Sequence, residues 1–153
     1  MYRKILLPID SAGVPDDTAR HIISLAQVHN AAILGLRVIP IVSSGEAFFD
    51  KVQVELGSRG ARLRDAAEAE FARLGAMSKD AGVAFAGEVI FTERGEAEAI
   101  ATYAAENGCD LIAMPVHPRT ALSRWLMGNV EDKVRRRATV PVLFIPVAVG
   151  SGA

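Results

Sequence analysis

Short apolar runs with little alternation are interleaved along this chain with longer stretches of helical spacing, and that rhythm predicts its elements. Ile5, Leu6, Leu7 and Ile9 stand almost together before Asp10, so the first strand should be buried on both faces, as in a parallel sheet. After the turn-like stretch Ser11 to Pro15, Asp16 and Asp17 are placed to cap a helix that carries Ala19, Ile22, Ile23 and Ala26 at helical spacing and ends near Asn30. Ala32 to Ile39 predicts a second strand, stopped by Pro40 because proline cannot donate to a ladder. From about Asp50 to Ala81 the chain is rich in Ala, Arg, Glu and Leu, which predicts one long helix whose early part reads also as loop. Val83 to Phe91 follows as a strand, and Gly95 precedes an alanine-rich helix that runs to about Asn107 and stops at Gly108. Asp110 opens a fourth strand, LIAMPV. His117 to Met127 is a connection without clear period, Asn129 to Ala138 a helix, and Val140 to Val147 the last strand.

Strands alternating with helices in this order imply an α/β fold, an open five-stranded parallel sheet with helices on both faces, because right-handed crossovers leave few other topologies. Neither linker nor repeat divides residues 1–153, so they read as one domain. With strand order 3-2-1-4-5, the order reverses between strands one and four, and ligands of open α/β sheets bind beyond the carboxyl ends of the strands at that point. The residues there are Pro8, Ile9, Asp10 and Ser11, then Met114 to His117, with Val38 and Ile39 next door.

Composition narrows the field. A chain of 153 residues, half of them hydrophobic and 23% charged, folds around one core and is unlike a disordered segment. Its 17 basic and 18 acidic residues leave a formal charge of −1, which offers no global field for nucleic acid or an anionic membrane, so any anion site must be local. Cys109 is the only cysteine, which excludes an intramolecular disulfide and a thiolate metal cluster and fits a reducing compartment. The opening MYRKILLPID is interrupted by Pro8 and Asp10 well short of a secretory core, and no apolar run reaches membrane-spanning length; a cytoplasmic location is the expectation.

The segments KILLPID, GEAEAI, DLIAM and above all HPRTALSRWLMGNVEDKVRRRATVPVLFIPV resemble the universal stress protein family over nearly the whole chain. The resemblance implies an adenine nucleotide alpha hydrolase-like, Rossmann-like fold and a non-enzymatic stress-response protein that binds ATP or another adenine nucleotide, with Mg as a companion of the phosphates. It implies contact of Asp10 with the ribose or a phosphate-bound metal, and of the Val38 backbone with adenine. Nucleotide-binding members carry a glycine, two residues, a second glycine, nine residues, then glycine followed by serine or threonine. Here the spacing is kept, but Pro115, Pro118 and Gly128-Asn129 occupy those positions. Glycines let backbone N–H groups approach phosphates at the start of a helix, whereas each proline lacks the amide hydrogen and fixes φ near −65°. The phosphate cradle is therefore altered. Asn129 can still cap the following helix, which opens at Val130, and offer its amide. His117, Arg119 and Arg124 stand close by in sequence, where guanidinium groups suit phosphate.

Each of these residues also has a plainer reading. Asp10 can be a turn residue bonding its own backbone, and Val38 an ordinary strand residue. His117 lacks a Ser, Cys or second His placed beside it in sequence and is not read as a catalytic base; His21 and His29 lie more than two helical turns apart and cannot share a metal. Arg135, Arg136 and Arg137 suit the last turn of a helix by its dipole, Cys109 reads as a small buried hydrophobe, and Trp125 as a pocket cover, a partner anchor or packing. The last strand is apolar on both faces and lies at the sheet edge, so a homodimer joined through Val142, Leu143, Phe144 and Ile145 is expected, as the family resemblance also implies. A second reading makes the chain a dimeric interaction module without nucleotide, its phosphate loop closed by Pro115 and Pro118 and its surface near Trp125 meeting an unidentified protein partner. Hydrolysis of ATP finds no phosphate-binding lysine motif and no evident base.

Overall fold

A computed structural model describes residues 1–41, 57–118 and 129–147. Five strands, β1 (Lys4–Ile9), β2 (Ala32–Pro40), β3 (Phe85–Thr92), β4 (Leu111–Val116) and β5 (Val142–Pro146), pair in parallel in the order β3-β2-β1-β4-β5. Four helices join them: α1 (Asp16–His29), α2 (Ser58–Asp80), α3 (Glu96–Glu106) and α4 (Val130–Arg137). The order 3-2-1-4-5 expected from the sequence is the one observed.

The missing alternation in the strands follows from burial on both sides. In β1, Ile5, Leu7 and Ile9 join a cluster with Ile22, Ile23 and Ala26 of α1 and Phe71 and Leu74 of α2. Leu6 points into the opposite cluster with Ile100 and Tyr103 of α3 and Val134 of α4. β4 divides in the same way, Leu111 and Ala113 to one side, Ile112 and Met114 to the other. Two cores thus share one sheet, α1 and α2 covering one face and α3 and α4 the other. The Tyr103 hydroxyl donates to the Glu88 carboxylate and ties α3 to edge strand β3.

Element ends differ from the sequence reading in two instructive places. Asp16 and Asp17 do not cap α1: Pro15 holds the N-cap position with φ −57°, and the two carboxylates lie in the first turn, bridging Arg73 and Arg20 at 2.5 Å each. Proline supplies the entry geometry, so the acids are released to pair and to face the helix dipole. The second helix starts at Ser58 rather than near Asp50, because Gly57 is extended at φ −76°, ψ 168°; residues 50 to 56 lie outside the described residues. Asn30 ends α1 in the left-handed region at φ 54°, and the Ala31 N–H returns to the Ala26 carbonyl at 2.8 Å.

Phe71 of α2 lies flat against glycines of β2 and β3. A Cβ on Gly35 would stand 2.8 Å from Phe71 Cε1 and 2.9 Å from Phe85 Cζ, closer than packed carbons tolerate. Gly35→Ala should therefore lower stability by about 1–3 kcal/mol, read from the urea midpoint; an unchanged midpoint would show that the two rings move aside freely.

Candidate functional site

The seam between β1 and β4 decides where a site can form. Only two residue pairs span it, Ile5 with Leu111 and Leu6 with Ile112. At its lower end the Asp110 carboxylate accepts from the backbone N–H groups of Arg3 and Lys4, at 2.8 and 3.0 Å, and the Asp110 N–H donates to the Lys4 carbonyl. Burial pushes the Asp110 carboxyl up, and those N–H donors outweigh it, so its pKa lies below the usual carboxylate value. At the upper end the backbone polarity of both strands is incomplete. The Lys4 carbonyl faces β4, so positions 6 and 8 of β1 face β4 as well; Ile112 donates to Pro141 on the β5 side, so positions 113 and 115 of β4 face β1. Pro8 and Pro115 therefore turn their missing N–H groups toward the same seam, and the ladder stops after Leu6.

A hollow with a volume of about 70 Å³ lies beyond the end of that ladder. From β1 and its loop it is lined by Pro8, Ile9, Asp10, Gly13 and Val14, from β4 by Met114, Pro115 and His117, and from the helices by Glu96, Val130 and Glu131. Flanking it are a cleft of about 260 Å³ at Val116, Asn129, Asp132, Phe144 and Pro146, which shares His117 and Glu131 with it, and another of about 190 Å³ toward Arg37, Leu63 and Glu70, which shares Ile9, Asp10 and Gly13. Small-molecule sites run to roughly 300–1,000 Å³, so a nucleoside-sized ligand would occupy the hollow together with a neighbouring cleft.

Seven of the residues singled out from the sequence meet here: Pro8, Ile9, Asp10, Met114, Pro115, His117 and Val130. Asn129 borders the adjoining cleft. Val38 does not line the hollow; its side chain is packed in the core, and its carbonyl already accepts from Arg37 Nη1 at 2.7 Å. Arg119 and Gly128, with Arg124 and Trp125, lie outside the described residues. Glu96 and Glu131 escaped the sequence reading, although both stand in the first turn of a helix that starts beyond the carboxyl edge of the sheet.

Asp10 combines its turn reading with a contact across the seam. Its Oδ1 accepts from the Ala12 N–H at 2.9 Å and stands 3.5 Å from His117 Nε2, while Gly13, at φ +74°, donates back to the Asp10 carbonyl at 3.2 Å. The loop is fastened from α2. Glu70 Oε1 accepts from the Val14 N–H at 3.1 Å, and Arg73 grips Glu70 at 2.6 Å, Asp16 at 2.5 Å and the Val14 carbonyl. Burial pushes the Glu70 carboxyl up, but hydrogen bonds from Arg73 and Val14 prevail and hold it below its ordinary value. The Glu70 hydrogen bond, against the opposing pull of burial, raises Arg73.

Three carboxylates, Asp10, Glu96 and Glu131, face one imidazole around the hollow. Among the described residues no group of three His, Cys, Asp or Glu side chains is arranged to hold a metal ion. The start of α4 is similarly preoccupied. The Asn129 side-chain oxygen accepts from the Asp132 N–H at 3.3 Å, and its amide nitrogen donates to the Asp132 carboxylate at 3.3 Å.

Residues 1–146 match the sequence profile of the Universal stress protein family. The chain belongs to the universal stress protein family. Universal stress protein MJ0531 of Methanocaldococcus jannaschii is 28% identical over 145 residues, covering 95% of this chain and 82% of the relative. The hypothetical protein MJ0577, a solved structure, matches with TM-score 0.73 at 22% identity over 98% of this chain and 99% of its own. A universal stress protein solved in complex with cAMP matches with TM-score 0.65 at 16% identity, over 96% and 98% of the two chains. At such identities these structures speak for the family fold, in agreement with the sheet order found here. Among the described residues no helix is long and apolar enough to cross a membrane.

A carboxyl whose folded pKa lies below its unfolded value stabilises the fold at pH above the unfolded value and loses that contribution as pH falls through the folded one. Glu70→Gln should therefore lower the urea midpoint at pH 7, and the gap to the parent should close as the pH falls from the ordinary glutamate value through the lower folded one, beneath which both carry a neutral side chain. A gap that persists unchanged at low pH would assign the effect of Glu70 to shape rather than charge.

Proposed function

We propose that this family member binds an adenine nucleotide, without catalysing its turnover, in the hollow beside β1 and β4 and its flanking cleft. The observation that carries the reading is the convergence of Pro8 to Asp10, Met114 to His117 and Val130 on one opening, with Asp10 and His117 3.5 Å apart across it. The relative solved with cAMP supports the ligand class. Asp10 is suited to accept from ribose hydroxyls, and the apolar edges of Pro8, Met114 and Val130 to cover a base or sugar face. The phosphate end is held differently from a glycine-rich cradle, since Pro115 turns no donor toward the opening. No nucleophile with a base and an orienting third group lines the hollow among the described residues, which supports a holding or sensing role rather than hydrolysis.

Titration calorimetry with ATP and magnesium tests this. Saturable binding should weaken roughly tenfold or more in Asp10→Ala, which loses charge-assisted hydrogen bonds. No heat and no thermal shift with any adenine nucleotide would favour the dimeric interaction module, a reading supported by the carboxylates of Glu131 and Asp132 at the start of α4.

We further propose that the protein is a homodimer joined through β5. β5 is an edge strand that pairs only with β4 among the described residues, and Leu143 on it is 38% exposed, next to the half-buried Val142 and Phe144. An uncovered apolar edge invites pairing, and Pro146, without a donor, confines it to Val142 through Ile145. Light scattering at micromolar concentration should give twice the chain mass, and Leu143→Lys should shift it toward one; a parent protein that scatters as a monomer would remove the proposal.

A further inference from the structure

We infer that the anionic end of a ligand held in the hollow lies not at the start of α4 but in a basic groove between α3 and α4, so that the site favours a polyphosphate nucleotide over a monophosphate. This rests on the nucleotide-binding reading above. The start of α4 is a poor place for phosphate: Asn129 is committed to Asp132 through both its side-chain oxygen and nitrogen, and Glu131 and Asp132 set two carboxylates in the first turn. Those acids already answer the helix dipole, and Asp132 is further engaged by Arg135 at 3.1 Å, so the donors at this end of the helix are taken.

One turn along the same helix the charge reverses. A groove of about 570 Å³ runs between the beginning of α3 and α4, lined by Arg94, Lys133, Arg136 and Arg137. It adjoins the hollow, with which it shares Glu96 and Val130. Arg137 is engaged by Glu98 at 3.5 Å. Among the described residues no carboxylate lies within ion-pair distance of Arg94, Lys133 or Arg136, three exposed cations on one groove of a chain whose formal charge is −1. Lys133, Arg136 and Arg137 follow the i, i+3, i+4 spacing of a single helix face, where like charges repel one another. The helix dipole accounts for cations in the last turn; it does not account for Lys133 in the middle of α4, nor for Arg94 ahead of α3. Of the two carboxylates that line the groove, Glu96 and Glu98, the second is paired with Arg137, and an extended anion reaching past Val130 would meet all three remaining cations.

Titration calorimetry in magnesium-free buffer with adenosine, AMP, ATP and inorganic tripolyphosphate decides it, comparing the parent with Lys133→Glu/Arg136→Glu and, on a separate element, with Arg94→Glu. Three solvent-screened cations should make ATP roughly tenfold tighter than AMP in the parent. Both variants should erase that advantage and the binding of tripolyphosphate while leaving adenosine unchanged. An ATP-to-AMP ratio that survives in the variants, or tripolyphosphate bound equally well by them, would overturn the groove assignment. Should no adenine compound bind, the nucleotide reading falls by itself, and tripolyphosphate still tests the groove: loss in the variants supports it, and absence of binding to the parent removes it.

Discussion

The seam between β1 and β4 is hydrogen-bonded at one end and cannot be at the other, and the arrangement of the molecule around its opening follows from that. Asp110 closes the lower end by accepting from two consecutive N–H groups of β1. Pro8 and Pro115 leave the upper end without donors, so the ladder between two central strands ends where strand order reverses. Parallel strands buried on both faces would otherwise zip to their ends. Proline in interior strands is costly where it breaks a ladder. Here both prolines face the place where the ladder has ended, and the same feature that limits the pairing shapes the opening.

What surrounds that opening is held by contacts remote in sequence. The β1–α1 loop carries Asp10 at its start and is fixed at Val14 by Glu70 and Arg73, which α2 brings from the far side of β2. Arg73 simultaneously binds Asp16, so the beginning of α1 and the position of Asp10 are set by one guanidinium. Glu70 is a fifth exposed and Arg73 about a third, so their pairing is neither a buried ion pair nor a wholly solvated one; its worth is more in fixing the loop than in bulk stability.

Charge is divided around α4. Glu131 and Asp132 at its start face the hollow and the β5 cleft, whereas Lys133, Arg136 and Arg137 face α3. An eight-residue helix thereby presents an acidic end to the hollow and a basic flank to the groove beyond. Pro115 offers no N–H, and the side chain of the N-cap Asn129 is taken by Asp132.

The sequence by itself determined the elements and the order of their alternation, because burial on both faces removes the period-two pattern from a strand and leaves an unmistakable apolar run, as in Ile5 to Ile9 and Leu111 to Met114. It also determined that the phosphate loop departs from its relatives, since proline and glycine constrain the backbone wherever they stand. Only the tertiary structure decided that Pro8 and Pro115 share one seam, that Asp10 reaches His117, and that Glu96 and Glu131 enter the hollow. Those relations depend on which way an N–H or a side chain points from a strand or a first helical turn. That direction is fixed by register and packing between segments a hundred residues apart, on which local pattern is silent. The same holds for Pro15 displacing Asp16 and Asp17 as the cap of α1: local propensity favoured the acids, and a partner on α2 claimed one of them instead.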